Sequence, residues 1–132
     1  MHVRDGMSSV VLTIGPSHSL SDAARLMTER NVGAAIVMDP ERPGPGIITE
    51  RDILRSVAAG ESSTTEKVAD HLTEELISAS PDWSLEQAAE AMLDGGFRHL
   101  LVVNGGDLEG ILSMRDIVRC WTSDGATSGM TP

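Results

Sequence analysis

The chain has 132 residues, 40% of them hydrophobic, with ten basic residues against twenty acidic ones and a formal net charge of −10 at pH 7. That length suits one domain, or two small halves sharing a core, and that apolar fraction excludes a disordered chain. The acidity, with an aromatic content of 2% and no tyrosine, excludes a nucleic-acid binder, because phosphates demand cations and bases demand stacking surfaces.

No apolar run approaches the ~18 residues of a bilayer span. The start, MHVRDGMSS, has no signal pattern, and the single cysteine, Cys120, has no internal partner. The expectation is a soluble cytoplasmic protein with no membrane partner.

In chain order, the first expected element is a short strand near 10–14, VVLTI, closed by Pro16. Ser19 then reads as a helix N-cap, followed by Leu20, Ala23, Ala24 and Met27 at the spacing of one helix face. Residues 32–38, VGAAIVM, read as a buried strand. A Pro/Gly turn at 39–45 leads to a short strand at GII and a second helix whose apolar residues are Ile53, Leu54 and Val57. The series then starts again. ELISA at 75–79 is a strand closed by Pro81, Ser84 is an N-cap, and Leu85, Ala88, Ala89 and Met92 form the helix face. FRHLLVV at 97–103 is the buried strand, and a turn at 104–109 leads to GIL and a helix with Ile117, Val118 and Trp121.

The second series is a copy of the first. With a shift of 65, Val3 falls on Val68, Asp5 on Asp70, Pro16 on Pro81, and SLSDAARLM on SLEQAAEAM. With a shift of 64, GIITERDILR (46–55) falls on GILSMRDIVR (110–119). The one slip lies in a turn, where length changes are tolerated. The fold class expected is α+β: tandem β-α-β-β-α repeats packed with pseudo-twofold symmetry and enclosing two equivalent grooves. The halves are 1–60 and 61–122, with a mobile Gly/Ser/Thr-rich tail at 123–132.

The two endings carry the chemistry. Thr49 and Ser113 stand where a strand gives way to a helix, and Asp52 and Asp116 stand three residues on. A hydroxyl and free N–H groups at a helix start can meet a phosphate, and a carboxylate one turn on can accept from two adjacent hydroxyls. The same residues also spell a helix capping box, which would use the same atoms with no ligand. Arg51 and Arg115 oppose the helix dipole, which fits either a nearby anion or a solvated cation paired with an acid such as Glu50.

The double β-α-β-β-α pattern, the paired helix-to-strand segments and the endings GIITERD and GILSMRD resemble a stand-alone pair of CBS domains, or Bateman module, over about residues 2–122. The resemblance implies a regulatory module binding an adenosyl ligand (AMP, ADP, ATP, NAD or S-adenosylmethionine) in its grooves, without catalysis and commonly as a homodimer. It places Asp52 and Asp116 at the ribose. It also makes Arg98 and His99, which replace Gly33 and Ala34 of the first half, candidates for phosphate contact, so the grooves are expected to differ. In the family, strand backbone at the positions of Thr13 and Ser78 lines the adenine pocket; the plain reading of both side chains is a strand residue. The regulated partner is unnamed.

Two other readings stand beside this one. An interaction protein with vestigial grooves would keep the two segments as capping boxes only. An enzyme is not expected: His2, His18, His71 and His99 lack metal-ligand spacing, PGPG at 43–46 is a turn, and no nucleophile elbow, P-loop or dinucleotide fingerprint is present. The seven methionines read as core filling and Cys120 as an ordinary helix residue.

Overall fold

The computed structural model describes residues 1–73 and 78–129, the last six of these without their side chains. Each repeat builds a three-stranded sheet. In the first, β1 (Thr13–Ile14) runs parallel to β2 (Ala34–Val37), which pairs antiparallel with β3 (Gly46–Thr49). In the second, β4 (Ser78–Ala79) runs parallel to β5 (His99–Asn104), which pairs antiparallel with β6 (Asp107–Ser113). The β-α-β-β-α order is thus present twice.

The helices start where the sequence signals them. Ser19 Oγ accepts from the Asp22 N–H at 3.0 Å and opens α2 (Leu20–Arg30); Ser84 Oγ accepts from the Gln87 N–H at 3.0 Å and opens α4 (Leu85–Gly95). Both end on a left-handed residue, Asn31 or Gly96, which satisfies the last carbonyls. Their apolar faces are buried on the sheets: Leu20, Ala23 and Met27 on the first, Leu85, Ala88, Ala89 and Met92 on the second. The alanines let each helix lie close to the apolar middle strand.

The strands differ from expectation in length. The described part of each leading strand is a two-residue pair, and of 75–79 only Ser78 and Ala79 lie within the described residues. β5 and β6 are longer than β2 and β3, because Gly105 and Gly106, with φ of 60° and 89°, form a tight hairpin. The matching connection at 39–45 holds three prolines, at 40, 43 and 45, and cannot close in two residues. The helices after each ending are α3 (Glu50–Ala58) and α5 (Met114–Gly129). The stretch 123–129, expected to be mobile, is drawn as the end of α5; residues 130–132 lie outside the described residues.

The compact units cut the chain differently from the repeats along it. One unit holds residues 11–76; the other holds 1–10 and 77–132. The segment before each repeat therefore docks on the other one. α1 (Val3–Gly6) lies on the second repeat: the Val3 N–H donates to Trp83 O at 2.8 Å, and Ser8 and Ile111 exchange backbone bonds at 2.9 and 3.0 Å. The 3₁₀ turn Val68–Asp70 lies on the first: the Val68 N–H donates to His18 O at 2.8 Å, and Thr73 and Ile47 exchange bonds at 2.8 and 3.0 Å. Val3 and Val68 are fully buried in the cores they join. The bonds of one docking map onto those of the other under the repeat shift.

Candidate functional site

β3 delivers Thr49 to the first turn of α3, and the local geometry closes both ways. The Thr49 N–H donates to Asp52 Oδ2 at 2.9 Å, its hydroxyl donates to the same oxygen at 3.0 Å, and the Asp52 N–H donates back to Thr49 Oγ1 at 3.3 Å. β6 delivers Ser113 in the same way. Its N–H donates to Asp116 Oδ2 at 2.8 Å, and the Asp116 N–H donates to Ser113 Oγ at 3.0 Å. Both endings are therefore formed capping boxes. All four side chains are half-buried, neither sealed in the core nor fully solvated.

The second carboxylate oxygen distinguishes the two. Asp116 Oδ1 accepts from Arg119 Nη2 at 2.7 Å. Asp52 Oδ1 accepts from none of the described side chains, although Arg55 holds the position equivalent to Arg119. The box thus uses one oxygen of each acid. Among the described side chains, the other takes no bond in the first repeat and is held by an exposed arginine in the second.

The remaining candidates distribute unevenly. His99 is the cross-strand partner of Ser113, so the structure brings the two together, and the exposed Arg98 accepts the Met114 N–H on its carbonyl at 2.8 Å. Arg98, His99, Ser113 and Asp116 therefore share one edge of the second repeat. The matching edge holds Gly33, Ala34, Thr49 and Asp52, with Ala34 opposite Thr49. Arg51 and Arg115 are exposed at the first turns of α3 and α5. Thr13 and Ser78 are exposed residues of β1 and β4, paired with Ile36 and Leu101. Each stands two strands from its own repeat's hydroxyl, roughly 10 Å by strand spacing, so neither repeat brings them together.

Sequence reasoning missed three features. The Glu50 N–H bonds Gly33 O at 2.9 Å, and its carboxylate covers Gly33, so a Cβ placed there would lie 3.0 Å from Glu50 Oε1. The available signal was that position 50 is acidic in one copy and methionine in the other. Arg119 on Asp116 was legible as an i, i+3 pair. The third is a group of Glu61, Glu66 and His71 with ligand atoms within 4.8 Å of one another, the one trio of metal-ligating residue types among the described residues. His71 Nε2 and Glu66 Oε1 lie 2.8 Å apart, so the trio already holds a hydrogen-bonded pair. The Glu66 carboxyl is held below its ordinary range, first by His71 and then by a hydrogen bond with Glu61. No helix of the described residues is long and apolar enough to cross a membrane.

The comparisons with known proteins agree with this architecture. The CBS-domain family model matches residues 2–59 and 68–122. The CBS domain-containing protein YhcV of Bacillus subtilis is 35% identical over 131 residues, 98% of this chain and 92% of that protein. For two further curated relatives the chain spans 66% and 50% of their lengths. Among solved structures, a hexameric CBS-CP12 protein from bloom-forming cyanobacteria superposes with a TM-score of 0.81 at 30% identity, covering 89% of this chain and 69% of that one. A CBS domain protein from Pyrobaculum aerophilum complexed with AMP superposes with a TM-score of 0.76 at 26% identity, covering 88% of this chain and 89% of that one. CBS domains of this type are regulatory, non-catalytic modules. With its duplicated β-α-β-β-α unit and its two strand-to-helix turns, this chain belongs to the CBS-domain family and carries two CBS repeats in tandem.

Proposed function

We propose that this chain senses an adenosyl ligand at one or both of its strand-to-helix turns and passes the binding on to a partner protein or to a second copy of itself. The observation that carries this reading is Asp52 Oδ1, which accepts from none of the described side chains. The capping box occupies Oδ2, while Oδ1 keeps its acceptor sites for the 2′ and 3′ hydroxyls of a ribose. Asp116 takes the same role once the exposed Arg119 swings aside. Thr49 and Ser113, at the starts of α3 and α5 where the helix dipole favours an anion, face a phosphate, and Arg51, Arg115, Arg98 and His99 supply positive charge around it. Backbone at Thr13 and Ser78 lines the adenine. The AMP complex of the P. aerophilum relative supports the ligand class.

The second reading, an interaction protein whose turns are only helix caps, is favoured by the closure of both boxes. Thermal unfolding with AMP, ADP, ATP, NAD and S-adenosylmethionine separates the two. Ligand at a hundred times its Kd adds about 2.7 kcal/mol to the wild type, and Asp52→Ala or Asp116→Ala removes that gain. If no ligand raises the melting temperature while both alanine variants melt lower, the turns are caps alone.

We also propose self-association through α3 and α5. Leu54 and Val57 are 67% and 54% exposed on one helix, and Val118 and Trp121 are 52% and 44% exposed at the equivalent positions of the other.

A further inference from the structure

We infer that the two turns select ligands of opposite charge: the Thr49–Asp52 turn takes an adenosyl compound with a neutral or cationic 5′ substituent, and the Ser113–Asp116 turn takes a phosphorylated one. The inference rests on the adenosyl reading above and assigns a ligand class to each turn. Its basis is a side-by-side comparison of equivalent positions. Arg51 matches Arg115, Asp52 matches Asp116, Thr49 matches Ser113 and Arg55 matches Arg119, so their formal charges cancel. Three positions do not cancel: Gly33 against Arg98, Ala34 against His99, and Glu50 against Met114.

The structure makes these differences local. The backbone at 33 bonds the N–H at 50, and the backbone at 98 bonds the N–H at 114, so each pair sits at the mouth of its own helix. In the first repeat the Glu50 carboxylate folds over Gly33, into the space where a side chain at 33 would begin. In the second repeat that space belongs to Arg98, and position 114 is an uncharged, partly buried methionine. Residue for residue, Glu50 against Met114 and Gly33 against Arg98 make the first turn more negative than the second by two charges, with His99 counted as neutral. A phosphate at the first helix start would lie beside the Glu50 carboxylate, which the second repeat lacks, whereas a sulfonium or ammonium there would be paired by it. A shift of two charges within a few ångströms of an exposed phosphate changes its affinity by about tenfold or more at moderate salt.

The test is a site-resolved titration of the full chain, following the backbone amides of 49–52 and 113–116 by two-dimensional ¹H–¹⁵N NMR. AMP, adenosine and S-adenosylmethionine serve as the dianionic, neutral and cationic probes. AMP should saturate the 113–116 amides at about tenfold lower concentration than the 49–52 amides. Adenosine should bind the two turns within about threefold, and S-adenosylmethionine should favour 49–52. Glu50→Met should strengthen AMP at 49–52 about tenfold and leave adenosine unchanged there, while Arg98→Gly should weaken AMP at 113–116 alone. Equal AMP affinity at both turns, or an Glu50→Met variant that moves AMP and adenosine together, overturns the charge selection but keeps the sensor. No response to any probe at either turn overturns the sensor itself, and the selection with it.

Discussion

Gly46 and Gly110 open the repeated motif, and neither has a side chain to fill the room beside it. The structure assigns that room to the chain itself. A Cβ on Gly46 would lie 2.7 Å from Leu72 Cδ1 and 3.3 Å from Thr73 O, and one on Gly110 would run into the Ser8 carbonyl oxygen. Leucine can yield; a backbone carbonyl held by the Ser8–Ile111 bonds cannot. Gly110→Ala should therefore cost about 1–3 kcal/mol in urea unfolding, and Gly46→Ala less, because its tightest contact is the far end of a side chain. Equal costs would mean that the docked segments give way together. The capping residues were legible, since a hydroxyl and an acid three apart bond within one turn. The role of the glycines was not, because their neighbours Ser8 and Thr73 lie 102 and 27 residues away in sequence from Gly110 and Gly46.

At the scale of elements, the helix starts and the middle strands follow from local pattern, and the structure keeps them. Docking of the leading segments does not follow from local pattern. Val3 and Val68 align under the repeat shift, but nothing nearby in sequence says that each completes the other repeat's core. Such pairing is set by packing between residues distant in sequence. The 3₁₀ turn at Val68–Asp70 has its own fastening, the contact of His71 with Glu66, and Ser56, 3% exposed, adds a bond to the neighbouring Glu61. Because the folded state lowers the Glu66 carboxyl below its unfolded value, this fastening is fully present above the ordinary glutamate range. It is lost as pH falls through the lowered value. Glu66→Gln should then lower stability above the ordinary glutamate range, and the gap to the wild type should close on acidification below that range. Denaturant unfolding of both proteins across that range measures it. A gap that stays constant to the acid end would assign the effect to packing instead of charge.

The whole molecule shows a pattern that neither repeat shows alone. The apolar residues of the two second helices are Ile53, Leu54 and Val57, and Ile117, Val118 and Trp121. The structure splits both sets in the same way. Ile117 is buried and Ile53 packs against its core, while Leu54, Val57, Val118 and Trp121 face outward. Periodicity could not reveal the split, because a helix with two apolar faces reads like one with a single broad face. One exposed leucine needs no explanation, but an outward pair recurring at the same two positions of both copies, 64 residues apart, is the mark of a surface made to be covered. A second copy of the chain suits it, since a symmetric dimer places like surfaces on like. Leu54→Glu and Trp121→Glu, each putting a charge into such a contact, should convert a self-associated wild type into a monomer in sedimentation velocity, with unfolding curves little changed because neither side chain belongs to a core. A wild type that sediments as a monomer at all concentrations would sink the proposal. A dimer indifferent to both charges would place the contact elsewhere on the chain and leave α3 and α5 without this role.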